Sequence, residues 1–115
     1  MVSRGYVPEK GDVVWLDFAP QAGREQTGRR PGLVLTPRAY NERTRLAIMC
    51  PITSREKGYP FEVALPKGAQ IRGVILVDHV KSLDWKERKA ERASRVPSDV
   101  LQEVLDRLAG LLGFE

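Results

Sequence analysis

The chain reads as a mainly β domain closed by one C-terminal helix, its sheet strongly bent in the manner of a small barrel. Three observations predict this. About six short runs rich in β-branched and aromatic residues follow one another at close spacing. No helical period separates them, as a βαβ fold would require. Only beyond Pro97 does the apolar spacing change from alternation to steps of three and four.

Residues 1–10 form a lead-in, with Pro8 interrupting regular structure before Gly11. Residues 12–18 alternate Val13 and Trp15 with Val14 and Leu16 and make the first strand. Asp12 and Asp17 are five apart, so an unbroken strand points them to opposite faces and they form no carboxylate pair. The polar loop 23–32 has glycines at 23, 28 and 32 and runs into Arg29-Arg30-Pro31. Pro31 fixes its own φ and biases Arg30 towards an extended backbone, which restricts the direction of that guanidinium. Residues 33–36 are a second strand closed by Pro37, and 38–45 a polar connection with room for one helical turn. Residues 46–52 are apolar on both faces and therefore central, with pairing expected to stop at Pro51. A second polar loop, 53–58, leads to a strand at 59–65 and a turn through Pro66 and Gly68. Another buried strand starts at Arg72 and runs on through Val80. Residues 81–95 read as a turn plus an exposed edge strand whose lysines and arginines discourage edge-to-edge association. Val100, Leu101, Val104, Leu105, Leu108, Leu111 and Leu112 then mark an amphipathic helix. It starts with Pro97 in its first turn or Ser98 as its cap, and stops at Gly113. Such a helix closes the open side of a small barrel or of a dimer.

The 115 residues fit a single domain, 1–115, able to bury roughly two-thirds of its unfolded surface without metals or disulfides. Cys50 is the only cysteine, so no intramolecular disulfide can form and a reducing cytoplasm is the natural compartment. Flanked by Ile48, Met49 and Ile52, it reads as a small buried apolar residue rather than a reactive thiol. The first six residues carry no apolar stretch of the signal-peptide kind. The most continuous apolar run, 74–77, is far too short to span a bilayer. Charge is unevenly placed. Residues 22–58 hold eight bases against three acids, whereas the remainder holds eleven against twelve. Seven of those eight bases are arginine, whose planar fork matches phosphate or carboxylate. A surface of that kind suits phosphates or an acidic partner.

One histidine, one cysteine and scattered carboxylates cannot assemble a zinc site, and no metal or cofactor is expected. Asp78 and His79 are neighbours that a strand would send to opposite faces, so His79 reads as a structural or rim residue rather than a catalytic base. The Gly-rich phosphate loop of nucleotide enzymes is absent. What remains is Arg30, Thr53 and Glu25. Arg30 precedes the second strand and Thr53 ends the third, so if those strands are neighbours a guanidinium and a hydroxyl converge on one anion. Such a pair could hold a phosphodiester and stabilise charge as a ribose 2′-hydroxyl attacks it. RNA carries its own nucleophile, so this chemistry requires no metal.

Further residues fall into an ordered pattern. They are Val2-Ser3-Arg4, Tyr6-Val7-Pro8, Gly11-Asp12 with Trp15, Asp17 and Phe18, and Glu25-Gln26 with Gly28 and Arg30-Pro31. Thr36-Pro37 with Tyr40-Asn41, Pro51 with Thr53, and the run from Lys57 to Val63 continue it. Gly73, Asp78, Val80, Lys81-Ser82 and Trp85 complete it. In this the sequence resembles the MazF/PemK family of toxin endoribonucleases over nearly its whole length.

The resemblance implies an SH3-like barrel, a homodimer, and metal-independent, sequence-selective cleavage of single-stranded RNA to 2′,3′-cyclic phosphate and 5′-hydroxyl ends. It also implies a MazE-like antitoxin whose acidic, disordered tail occupies the RNA groove, with no membrane partner. Residue by residue, Arg30 and Thr53 match the family's principal catalytic pair, Glu25 a glutamate implicated in some members, and Asp78 an aspartate assigned a role in the PemK-like branch. Gln26, Arg29, Ser54 and Lys57 fall in the loops that contact RNA. Two departures stand out: some relatives carry histidine where this chain has Arg29, and many carry Asp-Gln where it has Asp78-His79. Arg30, always charged, is a poor proton shuttle and is read as the phosphate clamp, with Glu25 the candidate base. Two rivals share the fold: a non-enzymatic toxin that binds and inhibits DNA gyrase, and an SH3-like interaction module without activity.

Overall fold

Seven short antiparallel strands bend around two apolar clusters in the computed structural model, which describes residues 5–17 and 28–114. In chain order the strands are β1 (Asp12–Asp17), β2 (Arg29–Val34), β3 (Leu46–Thr53), β4 (Glu62–Ala64), β5 (Val74–Leu76), β6 (Lys81–Asp84) and β7 (Glu91–Arg95). Helix α1 (Arg38–Thr44) lies between β2 and β3, and α2 (Ser98–Leu112) follows β7. The sheet order is β4-β5-β3-β2-β1-β7, with β6 also paired to β3.

β3 is the hub, as its two apolar faces predicted. It pairs with β2 on one edge and with both β5 and β6 on the other. Pairing with β2 does end at Pro51, opposite Gly32, but β3 continues on its other edge to set Ile52 and Thr53 against Ile75 and Val74. Between β5 and β6 the register along β3 slips by three residues. A 3₁₀ turn, Val77–His79, takes up those residues, which is why the single strand expected from Arg72 to Val80 is broken. The same slip frees residues 81–84 to pair with Leu46–Met49, so the segment expected to hold one edge strand holds two. β7 is the exposed edge, beside β1.

Other boundaries move for local reasons. β2 begins at Arg29 rather than Leu33, with Pro31 opposite Trp15 where pairing to β3 has already ended, so its missing N–H breaks no bond on that side. Thr36 leaves the strand because its hydroxyl donates to Asn41 Oδ1 (2.6 Å) and accepts from the Ile48 N–H (3.0 Å). α1 runs to seven residues, with Arg45 ending it at φ +66°. The strand expected at 59–65 shrinks to three residues, because the Glu62 carboxylate collects the N–H groups of Lys57 and Gly58 and folds the preceding chain into a loop. At α2 neither expected start holds: Pro97 is the N-cap rather than a first-turn residue and Ser98 the first helical residue rather than the cap, while Gly113 is the left-handed stop at φ +88° as expected.

Adjacent strand residues point to opposite faces, and here both faces are covered. Val13, Leu33, Cys50, Ile52 and Ile75 pack under α2, which contributes Val100, Leu101, Val104, Leu105 and Leu108. Val14, Leu16, Val34, Ala47, Met49 and Leu83 fill the other side with Trp85. Each fully buried aliphatic side chain stabilises by about 1.5–3 kcal/mol. Two buried polar residues tie the lead-in to the sheet. Asn41 donates to the carbonyls of Pro8 and Thr36 (both 2.9 Å), and its own carbonyl accepts from Trp85 Nε1 (2.9 Å). Asp12 accepts from Tyr6 (2.5 Å), the Glu9 N–H (3.0 Å) and Arg95 (2.7 Å). Among the described residues no helix is long and apolar enough to cross a membrane.

Candidate active site

Strand register brings the predicted pair together. Thr53 is the last residue of β3 and pairs with Val74 of β5. On its other side the β2–β3 pairing ends at Gly32 and Pro51, each two residues from Arg30 and Thr53 respectively, and both side chains line one groove. Beyond the Thr53–Val74 pair the chain leaves the ladder, with Gly73 close against the Thr53 carbonyl and Ser54 Cα. The strand ends open into a groove of about 820 Å³. Arg30, Thr53, Ser54, Arg55, Gln70 and Arg72 give it a polar lining, and Trp15, Pro31, Ile52 and Ile71 an apolar one.

The far wall is fixed by backbone, not side chains. Gly73 sits at φ +123°, and a Cβ on it would lie 2.2 Å from the Thr53 carbonyl oxygen. Only glycine permits that approach. The Gly73 carbonyl accepts from the Leu65 N–H (3.0 Å), which folds the 65–73 loop over the end of β3. Thr53 itself is oriented: its Oγ1 accepts the Arg55 N–H at 3.1 Å, leaving the hydroxyl proton to be donated to a guest.

Electrostatics separates these arginines from five others. Arg29, Arg45, Arg92, Arg95 and Arg107 each lie against a carboxylate. Arg30, Arg55 and Arg72 have no side-chain partner among the described residues, and the groove's described lining includes no carboxylate. Three guanidiniums without partners among the described residues, lining one groove with a hydroxyl, make a receptor for an anion.

The remaining sequence-predicted residues scatter. Glu25 and Gln26 lie outside the described residues. Ser54 lines the groove. Arg29 is directly opposite Asp17 on β1, bonded to its carboxylate at 3.1 Å and to Glu91 at 3.3 Å, and it also donates to the carbonyls of Trp15 and Lys89. Lys57 lies on the loop beyond the groove, its ammonium 6.0 Å from the centre of the Tyr59 ring. Asp78 and His79 are not on opposite faces of a strand but share the 3₁₀ turn, with His79 Nε2 4.0 Å from Asp78 Oδ1, and neither lines the groove. Burial, helped by the Asp78 charge, pushes the Cys50 thiol up to about 12, so it stays neutral and unreactive as its flanking residues indicated. Sequence reasoning missed Trp15, Arg55, Gln70, Ile71 and Arg72 as groove residues.

Fold and groove together define the class: a small, bent β barrel whose strand ends form a basic, anion-receptive trough. The chain belongs to the PemK-like, MazF-like toxin family of type II toxin–antitoxin systems, whose family model matches residues 9–112. It is 45% identical over 113 residues to the endoribonuclease toxin MazF of Escherichia coli K12, covering 98% of this chain and all of that protein. It is 38% identical over 118 residues to endoribonuclease PemK of Escherichia coli, covering 97% of this chain and 87% of that one. Among solved structures, MazF from Deinococcus radiodurans superposes with a TM-score of 0.87 at 57% identity, covering 96% of this chain and all of that one. A MazE–MazF structure from the same organism gives 0.88 at 51% identity with the same coverage. The SH3-like barrel of MazF with its C-terminal helix is the fold of this chain.

Proposed function

We propose that this protein is the toxin of a type II toxin–antitoxin pair and acts as a sequence-selective endoribonuclease on single-stranded RNA. The carrying observation is the groove that Arg30, Arg55 and Arg72, all without side-chain partners among the described residues, line together with Thr53. The family and the endoribonuclease names of its relatives support the reading. The gyrase-inhibitor alternative finds no support among those relatives, and the inert interaction module leaves the unpaired arginines without a role.

In this mechanism the ribose 2′-oxygen bonds to the neighbouring phosphorus as the bond from phosphorus to the 5′-oxygen breaks. One product ends in a 2′,3′-cyclic phosphate, and the departing 5′-oxygen takes up a proton to become a hydroxyl. Arg30 clamps the non-bridging oxygens as their charge grows, and Thr53 donates its hydroxyl hydrogen to one of them. Glu25 takes the proton from the 2′-hydroxyl, with Asp78 a secondary candidate from the family pattern. Trp15 offers a face on which an unstacked base can lie. Ser54, Gln26 and Lys57 extend the contact along the strand, while Arg29 must first release Asp17 and Glu91 to join them. The protein works as a cytoplasmic homodimer, with no cofactor, and is held inactive by a MazE-like antitoxin whose acidic tail competes for the same basic trough.

Purified protein mixed with a long RNA in excess EDTA tests this. Cleavage at a recurring short sequence, leaving 5′-hydroxyl ends, is expected. Arg30→Ala should lower the rate at least about 10²-fold, with an unchanged circular dichroism spectrum, since Arg30 is exposed and has no side-chain partner among the described residues. Intact RNA with the wild-type protein, or full activity in the folded variant, would overturn the assignment.

A further inference from the structure

Arg72 belongs to no motif that the sequence reading singled out, yet the fold sets it on the groove wall. Its position is built in two ways. Arg72 lies two residues before Val74, the β5 partner of Thr53, and lines the groove together with Arg55 just beyond that pair. Gly73, next to it, lies against the Thr53 carbonyl in an approach that only glycine permits, and its own carbonyl is held by the Leu65 N–H at 3.0 Å. The loop before it is braced by the Ala69 N–H donating to the Pro66 carbonyl at 3.1 Å. Arg72 is thus held beside Ser54, on the side of Thr53 away from Arg30.

We infer that Arg72 is a second phosphate-binding residue, which together with Arg55 holds the backbone phosphate next to the linkage clamped by Arg30 and Thr53. The inference rests on the endoribonuclease reading and deepens it: the groove grips two successive phosphates of one RNA strand. A single-stranded RNA repeats its negative charge at every linkage, and a trough with unpaired guanidiniums on both sides of Thr53 matches that repetition. An isolated small anion would need only one side. Arg72 carries no structural duty to compete with this, because it is exposed and without a side-chain partner among the described residues. Its contact is made to substrate and transition state alike, so its loss falls on binding rather than on the chemical step.

The experiment compares Arg72→Gln with Arg43→Gln, which removes the same charge from the outer surface of α1, away from the groove. The substrate is an oligoribonucleotide containing the mapped cut site, cleaved at several salt concentrations. For Arg72→Gln a rise in KM of about fivefold is expected. The slope of log(1/KM) against log[salt] should become shallower by about 0.7, the share of one phosphate contact on a single strand. The fall in kcat/KM should therefore appear in KM rather than kcat. Arg72→Lys should restore the salt slope but only part of KM, since it returns the charge without the fork. An Arg72→Gln enzyme with the wild-type KM and salt slope overturns the inference, as does an equal change in Arg43→Gln, which would assign the effect to net charge. Failure of the wild-type enzyme to cleave at all overturns the endoribonuclease reading instead, so the two are told apart.

Discussion

Gly73→Ala asks whether the chemistry depends on where the end of β3 sits. At φ +123° the backbone occupies a region that side chains avoid, and forcing alanine into it costs about 1–3 kcal/mol. The added Cβ would stand 2.2 Å from the Thr53 carbonyl oxygen, 2.9 Å from its carbonyl carbon and 3.1 Å from Ser54 Cα. All three atoms are backbone, so no flexible side chain can step aside. To reach even 3.0 Å, the shortest approach that real Cβ atoms make, the two strand ends must part by about 0.8 Å. A misplacement near 1 Å at a reacting group costs about 10²-fold in rate. The expected outcome is a Tm lower by about 5–15 °C, together with kcat reduced about 10²-fold at a temperature where circular dichroism shows the variant folded. Thermal melts and single-turnover cleavage of the same preparation measure both. A variant that melts early but cleaves at the wild-type rate would refute the link between Gly73, the placement of Thr53 and catalysis. One that melts like the wild type would refute the close approach itself.

Two further expectations concern stability. Asn41→Ala strands the Pro8 and Thr36 carbonyls and the Thr36 hydroxyl, all bonded to the buried amide. It should lower the urea unfolding free energy by about 2–4 kcal/mol, and a loss below about 1 kcal/mol would show that water replaces the amide. Alkaline pH should also destabilise the fold. The Cys50 thiol is pushed from 9.0 up to about 12 by burial and by the charge of Asp78. Burial, the hydrogen bond to Asp12 and that residue's charge raise the Tyr6 phenol as well. Both groups are held neutral in the fold, so their contribution is whole below about pH 9 and is lost as pH climbs towards 12, each at up to about 1.4 kcal/mol per pH unit. Urea unfolding at pH 8 and at pH 10.5 should show the decline. Cys50→Ala, though lower throughout, should show a shallower one, and an unaltered slope would count against the buried thiol.

Local chemistry made much of the fold legible, and register accounts for what it did not. Alternating Val, Trp and Leu in β1, the doubly apolar β3 and the three- and four-residue steps of α2 are each patterns within one segment. The break at Val77–His79 is different, because it exists only to reconcile two pairings along one edge of β3, and no residue in 72–80 announces it. β6 was hidden for the same reason: its four residues become a strand by meeting Leu46–Met49. Residues 29–32 read as the end of a polar loop, yet they belong to β2, where Pro31 is tolerated because the ladder to β3 has ended.

The site divides along the same line. Arg30 and Thr53 were legible because proline and glycine mark the strand ends that carry them. Arg72 was not, since its place depends on Gly73 folding a nine-residue loop back onto Thr53, a contact far apart in sequence. The sharpest case is Arg29 beside Arg30, two adjacent arginines with different surroundings. Across the β1–β2 ladder Arg29 faces Asp17 and Arg30 faces Leu16. A guanidinium opposite a carboxylate is spent on an ion pair, and one opposite an apolar side chain is left for whatever anion arrives. Both partners are written in the sequence, four and five positions beyond Asp12. The register that pairs Arg29 with Asp17, and so leaves Arg30 to the groove, is set by Val13 and Leu33 finding the same side of the core.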